Sequence, residues 1–265
     1  MRIEVSHESP ISILPKSLEY NDYCYALVHL FETHDSYFNF FKEAKLLDKE
    51  VYLDNSIFEL GESFAPDKYA EWIEKLMPNL YIVPDVLEDA NGTIQGWLDW
   101  EKDHSFPHIR QMGVVQGRTW TDLVECYKFI SQAADMVAIS FDYSYYQGTG
   151  YGMNELERNV SGRQRLIKQL IDEGVWNWNK PHHLLGCSLA REFRWYVDNN
   201  VYNIKSVDTS NPIVASMHNL KYNDEYALTS KPKALLADMI DHEITDSEME
   251  LVEYNTKMFK KILRR

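Results

Sequence analysis

Strand and helix patterns alternate along this 265-residue chain, which predicts an α/β fold of the (β/α)8 TIM-barrel type, irregular toward its C-terminal end. Three observations carry the prediction. Short apolar runs rich in β-branched and aromatic residues recur, nearly continuous rather than alternating, as in strands covered on both faces. Segments of helical period lie between several of them. No Gly-x-Gly-x-x-Gly or P-loop pattern opens any of those helices, which disfavours an open doubly wound sheet around a nucleotide cofactor.

In chain order, the apolar runs predict strands at 23–31 (YCYALVHLF), 50–54 (EVYLD), 79–85 (NLYIVPD), 109–116 (IRQMGVVQ), 136–142 (MVAISFD), 182–188 (HHLLGCS) and 202–208 (YNIKSVD). An eighth is expected near 212–217. Pro66 opens a helix whose Tyr69, Trp72, Ile73, Leu76 and Met77 fall at i, i+3, i+4, i+7 and i+8. Leu123, Tyr127, Ile130 and Ala134 mark another, with Thr119 or Thr121 as its cap. Leu166, Ile167, Leu170 and Ile171 mark a third, closed by Gly174. Leu189, Phe193, Tyr196 and Val197 mark a fourth, and a last helix fills 246–263. The stretch 143–161 (YSYYQGTGYGMNELERNVS) reads as a long polar, glycine-containing loop of the kind that forms a lid. No internal repeat, low-complexity segment or linker interrupts the chain, so 1–265 is read as one domain.

The composition bounds the class. A hydrophobic share of 45% with 13% aromatics suits a globular protein with a substantial core. No apolar run approaches the ~18 residues that span a bilayer, and Met1 to Pro10 lacks the apolar centre of a signal peptide. Cys24, Cys126 and Cys187 are odd in number and far apart, the usage of a reducing cytoplasm. The formal net charge of −14 argues against non-specific coating of nucleic acid, because phosphate binding is driven by cation release and gathers Lys and Arg. Two local basic clusters remain: Arg158, Arg163, Arg165 and Lys168, and the tail Lys257, Lys260, Lys261, Arg264 and Arg265. The plain reading of each is a solvated helix face; the functional one is contact with a polymer backbone.

The chemistry is written at the strand ends. Asp54, Asp85, Gln116-Gly117, Asp142 and Asp208-Thr209-Ser210-Asn211 each follow an apolar run, and in a barrel those positions converge on the C-terminal mouth. A carboxylate there is costly to bury without a partner or ligand. One such Asp is as readily a helix cap, but several strands ending this way point to a site. The adjacent His182 and His183 look like metal ligands, yet neighbours on a strand point to opposite faces, so a structural role is expected for them.

The segments Asp54-Asn55-Ser56-Ile57-Phe58-Glu59, Val83-Pro84-Asp85, Val115-Gln116-Gly117, Leu185-Gly186 and Val207-Asp208 resemble, in order and spacing, motifs of the tRNA-guanine transglycosylase superfamily over about residues 50–212. The family's Asp-Ser-Gly-Gly-Phe-Gln is similar to Asp54–Glu59, with Ser56-Ile57 for Gly-Gly and Glu59 for Gln. Its Gly-rich strand end resembles Ala138-Ile139-Ser140-Phe141. The structural zinc site of the tRNA enzymes, Cys-x-Cys-x-x-Cys followed by His, has no counterpart, and three scattered cysteines cannot supply it. In that respect the chain looks more like the zinc-free 7-deazaguanine DNA transglycosylases of phages and mobile islands.

The resemblance implies exchange of guanine for a free 7-deazaguanine base in nucleic acid, in DNA rather than tRNA, with neither metal nor cofactor. It assigns the nucleophile to Asp208 and base recognition to Asp85 and Gln116; Asp54 is read as the acid/base group. Gly117, Phe58, Ser140, Asp142 and Gly186 are expected to line the base pocket. Arg158, Arg163, Arg165, Tyr145 and Tyr146 are the expected nucleic-acid contacts, since flipped or single-stranded bases are held by stacking. Three other readings stand beside it: exchange in tRNA, a non-catalytic partner subunit, and an unrelated sugar lyase or isomerase. The last predicts a glycine-rich phosphate turn late in the barrel, absent from 186–220. Pairing into a homodimer is left open.

Overall fold

A computed structural model describes residues 2–187, 189–223, 232 and 234–264. Eight strands form one all-parallel sheet: β1 (Glu4–His7), β2 (Cys24–Leu27), β3 (Val51–Asp54), β4 (Leu80–Ile82), β5 (Arg110–Val114), β6 (Met136–Ile139), β7 (His182–Leu184) and β8 (Ile204–Thr209). Their order, β1-β8-β7-β6-β5-β4-β3-β2, wraps β1 back toward β2 and makes a nearly closed TIM-type barrel. The fold class expected from the sequence is therefore the observed one.

The eighth strand is not the expected one. Residues 212–217 form a helix, because Pro212 presets the first turn and the apolar run packs its Ile213, Val214 and Met217 against Ile13 and Val252. The missing strand is β1, only four residues long and polar at three of its four positions. Glu4 is exposed, whereas Ser6 and His7 are buried because they close the seam with β2. Asp22 N–H donates to the Val5 carbonyl (2.9 Å), and Val5 N–H donates to Asp22 Oδ2 (3.1 Å). His7 N–H donates to Asn21 Oδ1 (2.7 Å), while Asn21 Nδ2 returns a bond to the His7 carbonyl (3.0 Å). Tyr25 N–H donates to Ser6 Oγ (3.1 Å). Side chains thus satisfy backbone groups that a ladder would otherwise pair.

Eleven α-helices surround the sheet or follow strand ends: α1 (Leu14–Tyr20), α2 (Asp35–Leu46), α3 (Ile57–Leu60), α4 (Pro66–Leu76), α5 (Ala90–Asp103), α6 (Trp120–Ala133), α7 (Ser144–Thr149), α8 (Glu155–Asp172), α9 (Glu192–Asp198), α10 (Asn211–Met217) and α11 (Asp246–Leu263), among the described residues. The cap of α6 is Thr119, in a reciprocal box with Asp122. Met77, expected inside α4, instead ends it in a left-handed turn and is 49% exposed. The run 23–31 leaves the sheet after Leu27 and continues as a 3-10 turn, Val28–Glu32. The expected loop 143–161 is largely helical: α7 fills its first part, and α8 begins at Glu155 under the cap of Asn154, whose Oδ1 accepts from Glu157 N–H at 2.9 Å. Of the sequence expectations, Ser188 in the run 182–188 and Arg265 in the basic tail lie outside the described residues. No described helix is long and apolar enough to cross a membrane.

Candidate active site

The strand ends converge on a cavity of about 150 Å³ at the C-terminal mouth. Six carboxyl groups line it, from Glu8, Asp54, Glu59, Asp85, Asp142 and Asp208, and no Lys or Arg does so among the described residues. Gln116, Phe58, Ser140 and Gly186 also line it.

Asp54 and Asp208 are held by two rings that touch. Tyr25 donates its hydroxyl to Asp54 Oδ2, and the Ser56 N–H donates to Oδ1. Ser56 accepts this turn at φ 59°, in the left-handed region where glycine is free of strain and another residue costs about 1–2 kcal/mol. Across the barrel, His183 Nε2 lies 2.8 Å from Asp208 Oδ1 and its Nδ1 lies 2.8 Å from Ser206 Oγ. With Asp208 ionised, Nε2 is the donor to it. The Tyr25 and His183 rings stack at 5.8 Å with 9° between their planes. Gly186 N–H adds donation to both Asp208 oxygens, at 3.2 and 3.3 Å. Gly186 needs to be glycine: its φ is +64°, and a Cβ would meet Phe141 Cδ1 at 2.3 Å.

Asp85 forms a second, neighbouring constellation. Asn55 Nδ2 donates to its Oδ1 (2.7 Å) and Gln116 Nε2 to its Oδ2 (2.6 Å). The Gln116 amide is oriented in turn, since its Oε1 accepts from Glu88 N–H at 2.8 Å. Gly117 lets the chain pass close under α6, where a Cβ would meet Asp122 Cβ at 2.8 Å and Leu123 N at 2.9 Å. Phe58 and Phe141 meet at 5.5 Å beside the cavity, and Phe58 is 45% exposed.

The electrostatics follow from crowding carboxyls in a buried space. Burial and then the charge of Glu59 hold the Asp54 carboxyl well above the usual range, against the bonds from Tyr25 and Ser56. Burial lifts Glu59 to about 7, Asp208 adding to it, and Glu59 Oε2 is buried with no hydrogen-bond partner among the described residues. Asp85 is raised to about 6 by burial, which the Asn55 and Gln116 bonds partly offset. Burial, and then Asp208, Glu59 and Asp54, push Glu8 far upward. Such perturbation is what proton-transfer sites display.

Asp54, Asp85, Gln116, Asp208, Phe58, Ser140, Asp142 and Gly186 thus share one mouth, while Gly117 shapes the turn behind Gln116. The expected nucleic-acid contacts divide. Arg163 is a correction, being fully buried and forked onto Glu192, Nε to Oε1 at 2.6 Å and Nη2 to Oε2 at 2.8 Å. Tyr146 is a second, fully buried with its hydroxyl donating to the Ser140 carbonyl at 3.1 Å. Arg165 is exposed, and Arg158 and Tyr145 are half-buried, so these three remain accessible. Sequence reasoning passed over Glu8, Tyr25 and Asn55, and it read His183 as structural only. No group of three or more His, Cys, Asp or Glu side chains among the described residues is arranged to hold a metal ion. No family model matches the sequence, and no curated protein matches it.

Proposed function

We propose that the protein is a nucleic-acid guanine transglycosylase, exchanging guanine for a 7-deazaguanine base in DNA by double displacement. The observation that carries the reading is the paired support of Asp54 and Asp208 by the stacked Tyr25 and His183 rings, beside the Asp85–Asn55–Gln116 cluster. Asp208 attacks C1′ of the sugar as the C1′–N bond breaks, and the carboxylate traps the oxocarbenium-like carbon as an ester. Asp54, whose carboxyl burial biases toward the protonated form, gives its proton to the departing guanine. The incoming base returns a proton to Asp54, attacks C1′ and releases Asp208 as a carboxylate, so the anomeric configuration is restored. Asp85 accepts from the purine N1–H and 2-amino group, and the Gln116 amide turns a donor toward O6. The choice of DNA rests on the missing cysteine cluster in the sequence.

Incubation with labelled guanine and either DNA or tRNA tests the activity. Label is expected in DNA, and incorporation falls steeply with added salt as phosphate contacts are screened. Label in tRNA alone changes the polymer; label in neither defeats the base-exchange reading.

Asp85 makes a separable prediction. Its ionised form is the acceptor, so base affinity should rise as pH increases through about 6 and fall below it. Replacement by Ala should weaken base binding at pH 7.5 by roughly 1.5–3 kcal/mol, the scale of a charge-assisted hydrogen bond. Calorimetry with the free base at pH 5 and 7.5 measures both, and a flat pH response in the wild type would remove Asp85 from the pocket.

A further inference from the structure

Glu8 belongs to no part of the scheme above, yet its side chain lines the same cavity as that of the proposed nucleophile. The register of β1 on β8 sets Ser6 opposite Asp208 and His7 opposite Thr209, and the Glu8 N–H donates to the Thr209 carbonyl at 3.2 Å. The Glu8 side chain lines the cavity there together with that of Asp208, just past the end of the neighbouring strand. Two neighbouring carboxyl groups in such a cavity share one proton, because like charges crowded in a buried space do not both ionise. Donors decide which one keeps it. Asp208 receives His183 Nε2 and the Gly186 N–H, which stabilise its ionised form. Every influence acting on Glu8 favours the neutral form. The groups facing it are Asp208 on β8, Asp54 on β3, Glu59 on α3, Tyr23 just before β2 and Tyr37 on α2, none of them a cation.

We propose that Glu8 holds the proton of a Glu8–Asp208 carboxyl pair and acts as a positioning donor to the Asp208 carboxylate. Its role in turnover rests on the base-exchange reading; the shared proton does not. During exchange Glu8 keeps its proton. When the ester at C1′ breaks, the bonding electron pair returns to Asp208, and the Glu8 O–H donates to the oxygen where that charge develops. Glu8 therefore acts mainly on the second displacement.

Two measurements test this. On the substrate-free protein with ¹³C-labelled glutamate, infrared spectra at pH 7 should contain a protonated glutamate carboxyl band that Glu8→Gln removes. In turnover, Glu8→Ala should lower the rate on the order of 10²-fold, the scale for losing one donor to a developing oxyanion, while the covalent Asp208–sugar adduct accumulates. Glu8→Gln, a neutral donor of the same shape, should restore most of the rate and clear the adduct. A purely structural role would not move the adduct fraction. Absence of the Glu8-dependent band overturns the proposal whatever the activity, and so does a Glu8→Ala variant with wild-type rate and adduct level. The band present in a wild-type protein that exchanges no base supports the shared proton and defeats the base-exchange reading instead.

Discussion

Replacement of Asp208 by Asn is expected to abolish base exchange, with a loss of roughly 10³–10⁶-fold and no covalent adduct, as for removal of other enzymatic nucleophiles. The change is nearly isosteric. Asn keeps an oxygen for His183 Nε2, 2.8 Å away in the native protein, and for the Gly186 N–H at 3.2 Å. What it removes is the carboxylate that the proposed mechanism bonds to C1′. Thermal stability should therefore stay close to wild type while turnover vanishes, which separates chemistry from folding. Intact-mass analysis after incubation with oligonucleotide detects the adduct in the wild type. Wild-type-like turnover by the variant would sink the assignment of Asp208.

The second large effect concerns folding. Arg163 and Glu192 form an ion pair with neither side chain exposed. Besides the fork on Glu192, the guanidinium donates to the Ile139 carbonyl at 3.3 Å, the Leu185 carbonyl at 2.8 Å and the Gly186 carbonyl at 3.1 Å. Those carbonyls end β6 and β7 and set the turn from which the Gly186 N–H reaches Asp208. Tyr196 donates to Glu192 Oε1 at 2.5 Å. Arg163→Met should cost about 3–5 kcal/mol, because it leaves Glu192 buried and unpaired. Arg163→Met with Glu192→Met removes both charges and should recover part of that loss. Urea denaturation reads both variants; a single-variant cost below about 1 kcal/mol would mean the pair does not organise this turn. Any salt-dependent contact with a polymer then falls to the accessible Arg158 and Arg165 rather than to Arg163.

Much of the architecture was legible in the chain. Seven strands, five of them with carboxylate or amide ends, could be read because a strand covered on both faces must be almost wholly apolar, and a polar residue at its end stands out. Asp54, Asp85, Gln116 and Asp208 were visible for that reason. The burial of Arg163 was also written there, since it falls three, four and seven residues before Leu166, Ile167 and Leu170 on the same face of α8. Its charge drew attention away from its phase. The helix at 211–217 carried its own signal in Pro212.

Other features had no signal of their own. The strand β1 is legible only as a closure, because Ser6 and His7 are buried by virtue of Asn21 and Tyr25, which the barrel brings beside them. Glu8 becomes chemical only because β1 lies against β8, nearly two hundred residues later in the chain. His183 was assigned a structural role from the rule that neighbours on a strand face opposite ways. That rule separates it from His182 but does not reveal what either face meets. His182 meets Trp176 and Tyr127, whereas His183 meets Asp208 and Tyr25. Local sequence thus determined which residues stand at the mouth, since burial and period are properties of a segment. Tertiary structure alone decided which carboxyls crowd together and which donors they receive, and hence which of them keep their protons, because those quantities depend on distances between strands far apart in the chain.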